Sequence, residues 1–250
     1  MTVHFVGAGP GAADLITLRA AAMLAAADVV LYPGTYLDAE VLSHCGNGAR
    51  LVDTQDLDLD QIVDEVTTAH RSGHDVVRLT SGDPSLYSAV AEQTRRLDEL
   101  GIGWDITPGV AAYAPAAAAV GRELTVPLIT QSVVLTRAQA RSTAMPSTEA
   151  LANFAATRAT LALHLAITRT REVMAELSQE YGADCPVVVV HRASQTDELV
   201  LRGTVADISD QVEAAGLRQA AVILVGRALD PTSGGESYLY DPARDRTLKS

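Results

Sequence analysis

Val3-His4-Phe5-Val6-Gly7-Ala8-Gly9-Pro10-Gly11 and its echo, Val76-Val77-Arg78-Leu79 leading through Thr80 into Ser81-Gly82-Asp83-Pro84-Ser85-Leu86-Tyr87, decide the fold. In each, a short run rich in β-branched residues stops at glycine, as a buried strand does when it enters a loop. Good helix formers follow at residues 17–26 in the first and 86–100 in the second. A third pass begins at Trp104–Thr107, closes at Pro108-Gly109 and leads through Val110-Ala111-Ala112 into an alanine-dense helix over residues 111–120. Strand, loop and helix repeated in this way imply a mostly parallel sheet with covering helices. Ligands of such sheets bind outside the carboxyl ends of the strands. Three backbone-exposing loops there predict one small-molecule site built largely from main chain.

Outward from these loops the first half fills in with further strands at Val29–Tyr32 and residues 50–52, and with a helix over Leu59–Arg71 whose apolar residues recur at helical spacing. From about residue 120 the pattern changes. Strand-like segments at 126–135, 160–165, 186–190, 199–202 and 220–225 are interspersed with helices at 171–180 and 205–214. Ser194-Gln195-Thr196-Asp197 is a polar turn suited to a hairpin, and the polar stretch 138–148 reads as a loop able to close over a ligand. The expected class is α/β with two α/β domains, a mostly parallel N-terminal sheet over 1–119 and a mixed C-terminal sheet over 120–230. A cleft is expected between them, with a peripheral tail at 231–250.

The 250 residues carry a net charge of −12, which argues against a nucleic-acid partner because a phosphate backbone needs a basic face. A few arginines focused in a cleft can still receive an anionic small molecule. The two cysteines, Cys45 and Cys185, read as reduced thiols of a cytoplasmic protein. No basic segment followed by an apolar one opens the chain, and no apolar run suggests a membrane span.

The glycine loop at 7–11 is not the dinucleotide fingerprint. Its third glycine is replaced by Ala12, Pro10 removes an N–H, and Asp28 precedes the second strand instead of following it. A nicotinamide-dependent oxidoreductase is therefore the disfavoured reading from another class, and a non-catalytic binding protein is a third. Asp83 can either cap the helix that follows or bind a polar ligand. His70 and His74 are separated by helix-breaking Gly73 and lack a third ligand, so no metal site is expected. His164 and His191 end predicted strands, and no motif supplies a covalent nucleophile. Among the arginines near loop or strand ends, Arg137, Arg141, Arg169, Arg171 and Arg192, paired N–H donors could receive carboxylates.

Taken in order, Gly7-Ala8-Gly9-Pro10-Gly11 with Asp14-Leu15-Ile16-Thr17-Leu18, Gly82-Asp83-Pro84 and Pro108-Gly109-Val110 resemble the tetrapyrrole methyltransferase family over about residues 2–230. Glu123-Leu124-Thr125-Val126-Pro127, the segment 131–137, His191-Arg192-Ala193-Ser194, Asp197-Glu198 and Ile223-Leu224-Val225-Gly226 resemble its members that methylate a ring carbon in cobalamin synthesis, although tyrosine is common there in place of His191. The resemblance implies S-adenosylmethionine as methyl donor and S-adenosylhomocysteine as product. Implied cofactor contacts are Pro10, Ser81, Gly82, Asp83, Ala111, Ala112, Leu163, His164, Arg192, Ala193, Ala220 and Ala221. It further implies a polycarboxylate tetrapyrrole substrate, for which Arg137, Arg141 and Arg192 are the candidates, and a cytoplasmic homodimer. Transfer from a positive sulfur to an electron-rich carbon needs alignment more than a base, so no catalytic acid or base is assigned. Another ring carbon, or an RNA or protein acceptor as in relatives of the fold, stays open.

Overall fold

Three of the strands named above are immediate neighbours, and this adjacency positions everything that follows. The computed structural model describes residues 2–34, 37–138, 144–232 and 234–245. It divides into two compact units, Met1–Pro115 with Arg192–Glu198, and Ala116–His191 with Leu199–Ser250.

The first unit holds an all-parallel sheet of β1 (Val3–Gly7), β2 (Val29–Tyr32), β3 (Arg50–Asp53), β4 (Val76–Thr80) and β5 (Trp104–Thr107), in the order β3-β2-β4-β1-β5. Every residue of β4 is buried, as expected of a central parallel strand covered on both faces. On one face Val3, Phe5, Leu31 and Val76 pack with Val66 and Ala69 of α2 (Leu59–Arg71) and Val90 and Leu97 of α3 (Val90–Glu99). On the other, Val6, Val30, Val77 and Leu79 pack with Ala20 and Leu24 of α1 (Leu18–Ala26). Truncating a fully buried leucine such as Leu24 would cost about 2–5 kcal/mol.

Local chemistry sets where these helices start. Thr17 caps α1 by accepting from the Ala20 amide at 3.1 Å. Asp58 and Gln61 form a reciprocal capping box on α2, with bonds of 2.9 and 3.0 Å. The helix expected from residue 86 begins only at Val90, because Tyr87 and Ala89 both adopt left-handed backbone, at φ 54° and 53°. Asp83 accordingly does not cap it.

The second unit holds a mixed sheet of β6 (Val133–Arg137), β7 (Thr160–His164), β8 (Pro186–His191), β9 (Leu199–Thr204) and β10 (Ala221–Val225), in the order β6-β7-β10-β8-β9. β6 and β7 are parallel and the other pairings antiparallel, with β8 and β9 a hairpin pair as the polar turn suggested. Leu161, Leu163, Val187, Val189, Ile223 and Val225 bury one face against α6 (Thr170–Tyr181) and α7 (Ile208–Ala214). The division between units falls within α4 (Tyr113–Val120). A further expectation needs correction. Residues 126–132 are not strand, since a turn returns the Ile129 amide to the Val126 carbonyl at 3.2 Å and Leu128 takes φ 65°. The short α5 (Leu151–Ala155) was not anticipated. Of the expected loop at 138–148, residues 139–143 lie outside the described residues.

Candidate functional site

Because β4, β1 and β5 are adjacent in the sheet, the loops leaving their carboxyl ends stand side by side. They carry Pro10, Ser81, Gly82, Asp83, Ala111 and Ala112. The first two loops zip together. Ala8 donates to the Thr80 carbonyl at 2.9 Å, Gly9 to that of Gly82 at 3.2 Å, and Gly82 back to Gly9 at 2.8 Å. This close approach requires glycine. A Cβ on Gly7 would sit 2.5 Å from the Gly109 nitrogen, and one on Gly109 only 2.2 Å from the Gly82 carbonyl oxygen. At Gly82 there is room, the nearest atom being 3.8 Å away, but φ is +68°.

Asp83 braces the array. Its Oδ2 accepts from the Gly109 amide at 2.8 Å and its Oδ1 from the Ser85 amide at 2.8 Å and from the Ser85 hydroxyl. Burial by itself pushes this carboxyl upward, but the Ser85 hydroxyl and the Gly109 and Ser85 amides together outweigh it and hold it below the usual aspartate range. A carboxylate fixed in this way remains ionised and complements a cationic ligand.

The segment Arg192–Glu198 counts with the first unit and closes over the β1 loop. Gln195 Nε2 donates to the Pro10 carbonyl at 3.2 Å, and the Ala12 amide donates to Ser194 Oγ at 3.3 Å. A Cβ at Gly11 would lie 2.3 Å from Gln195 Nε2. Within the segment the Ser194 amide donates to Glu198 at 2.7 Å, and Arg192 pairs with Asp197 at 2.6 Å. Ala193 is buried there. These contacts weigh directly on the nicotinamide alternative. A pyrophosphate cradle needs free amides after the first strand, whereas Ala8, Gly9 and Ala12 already donate within the protein. Pro10 has no N–H to offer.

In the second unit, register gathers the other candidates at one edge of the sheet. Arg137 at the end of β6 pairs with His164 at the end of β7, Leu163 pairs with Ile223, and Ala221 pairs with His191 at the end of β8. Ala220, just before β10, takes φ 52°. Burial pulls the His164 pKa down, which keeps its ring neutral near pH 7. Arg137 lines a cavity of about 280 Å³ with Met145, Pro146, Leu151 and Arg169. Arg171, by contrast, is engaged by Asp210 and Glu213 at the surface. Arg141 lies outside the described residues. Among the described residues, no three His, Cys, Asp or Glu side chains group as metal ligands, and no helix is long and apolar enough to cross a membrane. Cys45 and Cys185 are free thiols, and burial raises both pKa values, that of Cys185 to about 11.

Sequence reasoning did not single out Ser194 and Gln195 as supports of the first loop, since a polar turn carries no mark of what it will pack against. Arg78 was also passed over, although one arginine in an otherwise apolar strand is a visible anomaly.

Comparison with known proteins places this geometry. Residues 2–209 match the family described as tetrapyrrole (corrin/porphyrin) methylases. The chain is 52% identical over 247 residues to precorrin-4 C(11)-methyltransferase of Rhodococcus erythropolis, covering 99% of both chains. It is 50% identical over 249 residues to the enzyme of the same name from a Sinorhizobium species, covering 100% of this chain and 98% of that one. A solved cobalt precorrin-4 methyltransferase, a cobalamin biosynthetic enzyme, superposes with a TM-score of 0.88 at 40% identity, covering 92% of this chain and 96% of that one.

Proposed function

The chain belongs to the tetrapyrrole (corrin/porphyrin) methylases, and on that footing we propose that it transfers a methyl group from S-adenosylmethionine to C11 of precorrin-4 in cobalamin biosynthesis. Identity of 50% and more to precorrin-4 C(11)-methyltransferases over nearly the whole chain supports this acceptor. One structural observation carries the cofactor: three glycine-bearing loops interlock at the carboxyl edge of β4, β1 and β5, with the ionised Asp83 among them.

The fit to such a cofactor is good on the chain's own chemistry. The edge offers main-chain polar groups, the small side chains of Ala111 and Ala112, and a carboxylate complementary to a cation. Pro10, Ser81, Gly82, Asp83, Ala111, Ala112, Leu163, His164, Arg192, Ala193, Ala220 and Ala221 are the proposed contacts. When bound, S-adenosylmethionine supplies an electrophilic methyl group on a positively charged sulfur. The protein's work is then to hold loops and walls rigid, and the glycine interlock serves that end. Orientation of this kind contributes about 7–11 kcal/mol of barrier lowering, so a side-chain base is not required. Arg137, Arg141 and Arg192 are proposed to receive substrate carboxylates. The family's homodimeric, cytoplasmic form belongs to the same proposal.

Calorimetric titration with S-adenosylhomocysteine, with NAD as control, tests the cofactor, and turnover of precorrin-4 beside its cobalt form tests the acceptor. Binding of the first ligand alone, with methylation at C11, is the expected result. Binding of NAD alone would overturn the reading. Methylation at another ring carbon would retain the cofactor and move the acceptor. Preference for the cobalt form would align the chain with the solved cobalt precorrin-4 enzyme.

A further inference from the structure

Arg78 stands at the middle of β4, in register with Phe5 of β1 on one side and Leu31 of β2 on the other. It is only 7% exposed. Among the described residues no carboxylate lies within ion-pairing distance of it, and burial lowers its pKa to about 10, so it is still protonated at neutral pH. A buried cation without an acid is costly, and an apolar residue of similar size would fill the position at lower cost.

Two hydrogen bonds account for where the guanidinium is spent. Nη1 donates to the Leu79 carbonyl at 2.9 Å, and Nε donates to Gln93 Oε1 at 3.2 Å. Gln93 is itself 5% exposed on α3. Its Nε2 donates onward to the Ala89 carbonyl at 3.1 Å. Ala89 is one of the two left-handed residues that delay the start of α3, the other being Tyr87. Non-glycine residues hold that conformation only when their surroundings impose it. The chain from Arg78 through Gln93 ends at this point, at the far end of the segment that begins with Gly82 and Asp83. The near end is pinned by the Gly9–Gly82 pair.

Resting on the cofactor reading above, we propose that Arg78 is a positioning residue for S-adenosylmethionine binding: acting through Gln93, it fixes the Ala89 carbonyl and thereby sets the course of the 82–89 loop. The carboxamide of Gln93 suits a relay because its oxygen accepts from the cation while its nitrogen donates to the backbone. Arg78 touches no ligand in this assignment. Its effect is on where Asp83 stands.

Two variants separate this role from simple support of the fold. Arg78→Met removes the buried charge and keeps the volume. Gln93→Glu satisfies Arg78 with a carboxylate but loses the donor to Ala89, so it breaks the relay while leaving the cation paired. Thermal midpoint, S-adenosylhomocysteine affinity, the KM for each substrate and amide hydrogen exchange of residues 82–90 without ligand would be measured for both. The expected result is a folded protein whose S-adenosylhomocysteine affinity falls roughly tenfold, as for loss of one well-placed hydrogen bond. Its KM for the tetrapyrrole stays unchanged, and exchange is faster over 82–90 but not in α1. If Arg78→Met does not fold, Gln93→Glu decides alone. A folded Gln93→Glu protein with native affinity and native exchange overturns the relay. Should the wild-type protein not bind S-adenosylhomocysteine, the cofactor reading fails by itself. Hydrogen exchange then still decides whether Arg78 sets the loop, unchanged protection over 82–90 in both variants being the result against it.

Discussion

The Asp83 carboxylate holds the Gly109 amide at 2.8 Å and so ties the loop after β4 to the loop after β5, two strands that are not neighbours but flank β1. The carboxylate thus serves the architecture of the site before it serves any ligand. Its second oxygen is occupied by the Ser85 amide at 2.8 Å, which leaves the carboxylate's charge, more than its lone pairs, available to a cation.

Replacing Asp83 with asparagine keeps the shape, removes the charge and leaves one accepting oxygen where two now receive the Gly109 and Ser85 amides. Hydrogen bonds to charged groups contribute about 1.5–3 kcal/mol; partial exposure reduces the expected loss here to about 1 kcal/mol. The folded carboxyl lies below its ordinary value. Its stabilisation is therefore complete above the unfolded pKa of about 4 and disappears as pH falls through the lower folded pKa. Denaturant unfolding of wild type and Asp83→Asn should differ at pH 7 and converge toward pH 2. A constant difference across that range would show that the charge contributes nothing. Asp83→Ala should in addition weaken S-adenosylhomocysteine binding; an unaltered affinity in the folded variant would confine Asp83 to bracing.

The glycines should rank by what a methyl group meets. Gly109→Ala, with 2.2 Å to the Gly82 oxygen, and Gly7→Ala, with 2.5 Å to the Gly109 nitrogen, press backbone on backbone. Each should cost at least about 1–3 kcal/mol, or roughly 2–12 °C of melting temperature in a chain of this size. Gly82→Ala has space and suffers only its positive φ, about 1 kcal/mol. Gly48→Ala meets nothing within 4 Å and serves as the control. A melting series in which Gly82→Ala lowered the melting temperature more than Gly109→Ala would contradict the interlock.

The parallel sheet and its three loops were legible in the sequence because each depends on local signals: an apolar run, a glycine, a helix former. Val29–Tyr32, Leu59–Arg71 and Trp104–Thr107 have the expected bounds. What escaped depends on backbone conformations and contacts that the segment's own residue types do not announce. Residues 126–132 are apolar enough for a strand but turn instead, with Leu128 left-handed and 89% exposed. Leu86–Ala89 has no helix breaker after Pro84, yet Gln93 and Arg78 hold it out of the helix. Nothing within Ser194-Gln195 announces that it will bind the chain 185 residues earlier.

That long-range contact can be isolated by a double-mutant cycle. All three atoms nearest a Cβ at Gly11 belong to Gln195, the closest at 2.3 Å. Gly11→Ala should therefore destabilise wild type by more than it destabilises Gln195→Ala. The residual cost in the second background is that of φ 146° alone. A coupling of about 1 kcal/mol or more is expected for residues in direct contact. Additive effects in chemical denaturation would mean that the segment does not press on the first loop in solution.

The arginines proposed to receive the substrate differ in where the fold places them. Arg192 is anchored by Asp197 at 2.6 Å, with φ at +49°, so its guanidinium is restrained before any substrate arrives. Arg137 ends a strand and borders a cavity. A contact made equally to substrate and transition state changes KM and leaves kcat in place. Arg137→Ala and Arg192→Ala should each raise the KM for the tetrapyrrole roughly tenfold, as for a lost charge-assisted bond, with kcat within about twofold of wild type. Arg192→Lys should not restore the KM, because lysine lacks the planar fork that can engage Asp197 and a carboxylate together. Asp197→Asn should give an intermediate KM by loosening the anchor while keeping the cation. Steady-state kinetics with saturating S-adenosylmethionine reads all four. Native KM in both alanine variants would remove these arginines from the substrate site, whereas a fall in kcat at native KM would move them into the transition state.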